Sequence, residues 1–334
     1  MHREKVALPQ FEERAREKSR GSLAMKHNLK ITAILLAMFL ITQFIGLYVV
    51  NHYANSKVVN GEVVEVQAPG LPFGLETPEL KQQSEFNQIF ISIIVAFVIA
   101  IVLLFVLIKF KVEFIMKLWF FVVVTIALSI ALLAILPSFK YILLVVLIIA
   151  IPVAFLKIYK TSFLIHNLTE LLIYPGIAAV FVPILNIYTI VVLLILISVY
   201  DMWAVWHSGI MQKMAKYQIN KLKVFGGFFV PTLSKKQKAM IKKMKATNKK
   251  DELGKKKFKV NVAILGGGDV IFPIIAAGVM LKTLGIYATL LVTLGAFLGL
   301  TGLFFFAQKK KFYPAMPFIS AGIFVGVILS YLIF

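Results

Sequence analysis

The segment VNVAILGGGDVIFPIIAAG, residues 260–278, is apolar enough to enter a membrane, yet it carries the acidic residue Asp269 deep inside it. A second segment of the same kind, LLILISVYDMWAVW at 193–206, encloses Asp201. An acidic side chain near the middle of a bilayer costs roughly 2.5–3.5 kcal/mol on insertion scales, so it marks a functional site by default. The first question is therefore whether these two aspartates form one site.

The composition places most of the chain in a lipid bilayer. Of its 334 residues, 60% are hydrophobic and 15% are charged, whereas a soluble domain has about 45–50% apolar and about 25% charged residues. Apolar runs of about 20 residues predict membrane-spanning helices, and because no run alternates as a strand would, we predict an all-α membrane protein with nine transmembrane helices. The predicted spans are 31–50, 88–108, 118–136, 141–156, 168–184, 187–206, 260–280, 284–306 and 313–334.

The basic residues predict the orientation of these helices. If the N-terminus is cytoplasmic, the cytoplasmic segments contain 32 of the 36 Lys and Arg residues, as cytoplasmic loops of multi-pass proteins generally do. The net charge of +21 then reflects topology and contact with anionic lipids, not nucleic-acid binding. We predict a multi-pass protein of the cell (plasma) membrane with an extracytoplasmic C-terminus. Its parts are a basic cytoplasmic tail 1–30, helices 1–6 over 31–206 with an acidic outer loop 51–87, a basic cytoplasmic loop 207–259, and helices 7–9 over 260–334.

Both aspartates are predicted to lie at similar depth in the inner half of the membrane. Counted from the inner edge, Asp201 lies about six residues in, roughly 9 Å, and Asp269 about nine residues in, roughly 13 Å at helical rise. No Lys or Arg lies inside any predicted span as a partner. Two desolvated carboxylates side by side cannot both ionise, so they must share protons. This is the basis of aspartic-protease chemistry, although either aspartate alone fits a structural or transport role equally well.

Glycines and prolines near the aspartates predict irregular backbone. The three glycines 266–268 remove the side chains directly before Asp269, which permits a helix end or a close backbone approach. The ninth span opens with YPAMP at 313–317, and two prolines three residues apart fit a regular helix only in its first turn. Ordinary glycine-mediated packing and a helix started by proline are the alternative interpretations.

Three short motifs, in order, resemble those of the presenilin and signal peptide peptidase family of intramembrane aspartyl proteases. That family carries YD, GxGD and PAL in its sixth, seventh and ninth spans, and this chain has YD at 200–201, GGGD at 266–269 and PAM at 314–316. The methionine in the third motif is an apolar residue of similar volume to leucine. The resemblance implies three kinds of role: the catalytic residues are Asp201 and Asp269, the supporting residues are Tyr200, Gly266 and Gly268, and the substrate-binding residues are Pro314, Ala315 and Met316.

The same resemblance implies a function. It predicts an aspartic endopeptidase that cleaves transmembrane segments of membrane proteins or signal peptides through a water activated by two aspartates. The expected partners are transmembrane peptides and membrane lipids; no cofactor, metal or nucleic acid is expected, and homo-oligomerisation stays open. The inferred orientation matches presenilin, whereas GGGDVIFP at 266–273 is at least as similar to signal peptide peptidase. The short chain lacks the large loop of animal presenilins and resembles a compact microbial homologue.

The cytoplasmic loop contains a β-prone apolar stretch, VFGGFFV at 224–230, which we expect to be stopped by Pro231. One interpretation is a strand beside which an unwound substrate is held extended. The other is a membrane-surface segment anchored by phenylalanines and lysines. Both are left open by the sequence.

Other functions are weighed against the protease. The chain has no HExxH and no GxSxG, which argues against a metalloprotease and a rhomboid-like serine protease. A proton- or cation-coupled transporter or channel that uses Asp201 and Asp269 is the serious alternative, because broken helices suit transport as well.

Overall fold

The computed structural model describes residues 29–59, 62–75, 78, 80, 82–110, 112–160, 162–208, 226–232, 261–307 and 313–334. Most of the predicted tail 1–30 and most of the predicted loop 207–259 therefore lie outside the described residues. Within the described residues the fold is mostly helical. The nine α-helices are α1 Leu29–His52, α2 Gln83–Lys109, α3 Glu113–Ile135, α4 Ile142–Tyr159, α5 Phe163–Phe181, α6 Ile187–Trp203, α7 Gly268–Leu284, α8 Ile286–Phe306 and α9 Met316–Ile333.

Eight of these helices are long and apolar enough to cross a membrane, α6 only together with the π-helical turn Ala204–Ser208 that continues it. Helix α7, with 17 residues, is too short to be counted among them. The sequence predicted one continuous helix over 260–280, and this was wrong at its start. Strand β4, Asn261–Gly266, occupies that stretch, and the helix begins only at Gly268. The strand alternates in burial, with Ala263 and Leu265 buried and Ile264 exposed, so its apolar residues follow the two-residue period of a sheet.

Two small sheets correct the all-α prediction. In the outer loop predicted at 51–87, strands β1 (Ser56–Val59) and β2 (Glu62–Glu65) pair as an antiparallel hairpin. In the second sheet, β3 (Gly227–Thr232) pairs antiparallel with β4. The β-prone stretch 224–230 thus does contain a strand, which continues through Pro231 to Thr232; residues 224 and 225 lie outside the described part.

Helix α7 lies at the centre of the bundle and packs against α1, α5, α6, α8 and α9. All of its residues from 273 to 280 are buried. Helix α2, in contrast, has no buried residue in its most apolar window and lies at the periphery. Helices α8 and α9 approach most closely at Gly295 and Gly322, where a side chain on either glycine would collide with the backbone carbonyl of the other. Small residues allow this close packing of membrane helices.

A cavity of about 1140 Å³ lies under the β1–β2 hairpin, near the C-terminal end of α7. Its lining includes Lys282 near the C-terminal end of α7. Asp269 is thirteen residues earlier on the same helix, roughly 20 Å away at helical rise. The cavity therefore does not contain the aspartates.

The proposed orientation can be tested because the chain contains no cysteine. Lys140 and Lys160 are both exposed and flank α4 at its two ends. In intact cells, we expect Lys140→Cys to react with a membrane-impermeant maleimide and Lys160→Cys to react only after the membrane is permeabilised. The cysteine-free parent is the unlabelled control. The reverse labelling pattern would contradict a cytoplasmic N-terminus.

Candidate active site

Asp201 lies in the last turn of α6, with 9% of its surface exposed. One of its carboxylate oxygens accepts a hydrogen bond of 3.0 Å from the backbone N–H of Met316, the first residue of α9. The backbone of Ala315 also hydrogen-bonds this carboxylate. Ala315 is the N-cap of α9 and supplies no capping side chain of its own. Asp201 therefore caps α9 from a neighbouring helix, where an anion is favoured by the unpaired N–H groups and by the helix dipole.

Asp269 lies in the first turn of α7 and is partly buried. The Gly266 backbone hydrogen-bonds its carboxylate. A Cβ at Gly266 would lie 3.1 Å from Oδ2 of Asp269, so glycine leaves room for the carboxylate at this point. The carboxylates of Asp201 and Asp269 are near enough to interact electrostatically.

The three sequence motifs thus converge, but not every predicted residue contacts the aspartates. Pro314 and Met316 are buried, and the backbone from Ala315 to Met316 contacts Asp201. Tyr200 is 42% exposed, with its ring 6.4 Å from that of Trp203, and among the described residues no hydrogen bond joins it to either carboxylate. Its supporting role stays a prediction.

A buried hydrogen bond fixes α6 against α9 beside this site. The hydroxyl of Ser198 donates to that of Ser320 at 2.9 Å. Ser198 lies three residues before Asp201, and Ser320 lies four residues after Met316, so each serine is about one helical turn from the contact it supports. The bond helps to hold the Asp201 carboxylate at the first turn of α9.

Sequence reasoning missed a polar face on α5. Glu170, inside the predicted span 168–184, is 2% exposed and pairs with Lys157 at 2.6 Å. Helix α4 was predicted to end at residue 156 but extends to Tyr159, so Lys157 is a buried residue of this helix. The prediction that no basic residue lies inside a span was therefore wrong. Polar residues at 166, 170 and 174 recur every four positions, and this spacing on one helical face could have revealed the cluster.

Tyr174 joins this polar face to the glycine turn before Asp269. Its hydroxyl is buried and makes no hydrogen bond of standard geometry among the described residues, but it interacts electrostatically with Glu170 and Asp269. A Cβ at Gly267 would lie 3.0 Å from the Tyr174 oxygen. The Tyr174 ring also packs edge-on against Phe228 of β3, with 5.6 Å between centroids. The middle glycine of the motif therefore makes room for a residue of α5.

The chain is similar to known proteins in sequence and in fold. Residues 62–334 match the family model described as signal-peptide peptidase, presenilin aspartyl protease. A presenilin family intramembrane aspartate protease solved in space group C222 superimposes with a TM-score of 0.54 and 19% identity, covering 91% of this chain and 99% of that one. A presenilin family intramembrane aspartate protease solved in space group P2 superimposes with a TM-score of 0.52 and 20% identity, covering 90% of this chain and 97% of that one. No curated protein matches the chain significantly.

The glycine run gives a stability prediction. A methyl group at position 267 meets Tyr174, whereas one at position 268 makes only an ordinary contact with Phe272, at 3.7 Å. We expect Gly267→Ala to destabilise the purified protein by about 1–3 kcal/mol, the usual cost of overpacking, and Gly268→Ala to be neutral because alanine favours the helix it begins. Thermal unfolding in detergent measures both. Equal effects of the two variants would show that Tyr174 does not restrict this turn.

Proposed function

The chain belongs to the family of signal-peptide peptidases and presenilin aspartyl proteases, and from that premise we propose that it is an intramembrane endopeptidase with Asp201 and Asp269 as its catalytic pair. The proposal is supported by the electrostatic interaction of the two carboxylates, with Asp269 in the first turn of α7 and Asp201 hydrogen-bonded to the first residue of α9. Its substrates are transmembrane segments of membrane proteins or signal peptides. The comparisons offer no support for the transporter alternative.

The proposed chemistry needs only these two carboxyls and a water molecule. The pair holds one proton, and the ionised carboxylate removes a proton from water as the oxygen attacks the scissile carbonyl carbon. The protonated carboxyl donates to the carbonyl oxygen, and the tetrahedral intermediate then breaks its C–N bond as the nitrogen receives a proton. Because the carboxyls interact, they titrate as a pair and not as separate groups. The donors at Met316 and Gly266 keep each carboxylate oriented during these transfers.

The β3–β4 sheet offers a binding site for an extended substrate. A helical substrate must unwind locally before its peptide bond can be attacked, and adding a strand to a sheet edge holds a peptide extended. Strand β4 ends at Gly266, three residues before Asp269, and among the described residues only β3 pairs with it. A peptide added to the other edge of β4 would therefore run toward the aspartates. Phe228 of β3 is fully buried, which disfavours its use as a lipid anchor.

The proposal includes the membrane arrangement. The nine helices each cross the membrane, with the N-terminus in the cytoplasm and the C-terminus outside, and the protein resides in the plasma membrane. In this arrangement the aspartates face the inner half of the bilayer, and lysine-rich cytoplasmic segments contact anionic lipid headgroups.

The catalytic pair is tested with the purified protein in liposomes and a single-span transmembrane peptide. We expect cleavage by the unaltered protein and a loss of at least about a thousand-fold in Asp201→Asn and in Asp269→Asn, because an amide cannot exchange the required proton. Glu113→Gln makes the same acid-to-amide change at the start of α3, away from the site, and should leave cleavage unchanged. Product formation is followed by mass spectrometry.

Two outcomes would contradict the proposal. Cleavage that persists in both aspartate variants would exclude the pair as the catalytic group. Ion flux that is lost in both variants, with no cleavage by any form, would instead support a transporter.

A further inference from the structure

We infer that Asn167 is a specificity-determining residue. It occupies the edge of β3 that faces α5, so that an extended substrate can pair only with β4. This inference rests on the proposed protease function. Asn167 contacts neither aspartate, and its proposed effect is on which peptide bond of the substrate reaches them.

The Asn167 side chain forms a two-point contact with the β3 backbone. Its amide N–H donates to the Phe229 carbonyl at 2.7 Å, and its side-chain oxygen accepts from the Phe229 N–H at 2.9 Å. This arrangement reproduces the paired hydrogen bonds that a neighbouring strand would make. At Phe229, the edge of β3 that faces α5 is thus occupied by a side chain and cannot accept a peptide.

Strand geometry then leaves one edge for a peptide. Phe229 lies opposite Ile264 in the antiparallel register. The N–H and carbonyl of Phe229 bond to Asn167 and therefore point away from β4. Phe229 and Ile264 thus form a non-hydrogen-bonded pair of the antiparallel ladder. In such a pair, the N–H and carbonyl of Ile264 likewise point away from β3. In the part of the chain that the structure describes, no third strand lies on that side. A substrate at the β3 edge would instead lie about three strand spacings, roughly 14 Å, from a substrate at the β4 edge.

Further contacts from α5 make this attachment rigid. A ring nitrogen of His166 lies 2.7 Å from the Gly227 carbonyl, a hydrogen bond that ties the start of β3 to α5. The His166 ring also packs on the Phe229 ring, with 4.7 Å between centroids. One turn along, the buried Lys157–Glu170 pair ties α5 to α4. Strand β3, and with it the pairing edge of β4, therefore keeps a fixed position relative to the bundle.

The test measures where a single-span peptide is cut, using full-length protein in liposomes and mass spectrometry of the products. Asn167→Ala removes both hydrogen bonds. We expect cleavage at neighbouring bonds to rise about five-fold relative to the main product, from the loss of two hydrogen bonds of ordinary strength. Asn167→Asp keeps an acceptor for the Phe229 N–H but loses the donor, and should give a smaller increase. This second variant keeps the test informative if Asn167→Ala does not fold.

The control is Asn87→Ala, which removes an asparagine whose side chain accepts a bond from Gln83 within α2. It should leave the product ratio unchanged. A merely structural role for Asn167 would lower the amount of active protein without altering the ratio of products. An unchanged ratio in the folded Asn167 variants, with the unaltered protein active, would overturn this inference alone. Failure of the unaltered protein to cleave any peptide would overturn the proposed function as well.

Discussion

Two carboxylates in the interior of a membrane bundle need a source of compensating positive potential, and helix N-termini provide it here. Asp269 lies in the first turn of α7, and Asp201 accepts backbone N–H groups from the start of α9. Asp201 itself lies in the last turn of α6, where the helix dipole disfavours an anion. Its contact with α9 offsets that effect. The position of α9 is therefore a condition for the site and not only for the fold.

This requirement explains why the backbone is irregular where most membrane helices are continuous. A helix N-terminus can reach a carboxylate at membrane depth only if the helix begins there, and non-helical backbone is tolerated at that depth only inside protein or beside a water-filled space. The segment before α7 satisfies the backbone groups on one edge of β4 by pairing with β3. At the start of α9, the backbone groups of Ala315 and Met316 hydrogen-bond the Asp201 carboxylate. The close contact of α8 with α9 at Gly295 and Gly322 then holds that segment in place.

Hydrophobic run length and short motifs could predict the helices and the family, because both depend on residues adjacent in sequence. The strand before α7 could not be predicted in this way, since Asn261–Gly266 is apolar enough for a helix and its partner β3 lies about thirty residues earlier across a lysine-rich segment. The depth argument for Asp269 assumed helical rise through these residues and used the wrong geometry. Its conclusion, that Asp201 and Asp269 lie at similar depth, stays a prediction.

The α5 face shows a second kind of information that local motifs do not contain. His166, Asn167, Glu170 and Tyr174 are ordinary polar residues in the first three turns of α5, and each acquires its role only from a partner on another element. The charged pair Lys157–Glu170 is enclosed by protein, where breaking it would leave an uncompensated charge. A helix held this firmly can fix a strand by side-chain hydrogen bonds alone. The bundle thus positions its aspartates with helix ends and its sheet with polar side chains of α5, and the two arrangements are connected where Tyr174 meets the glycine turn before Asp269.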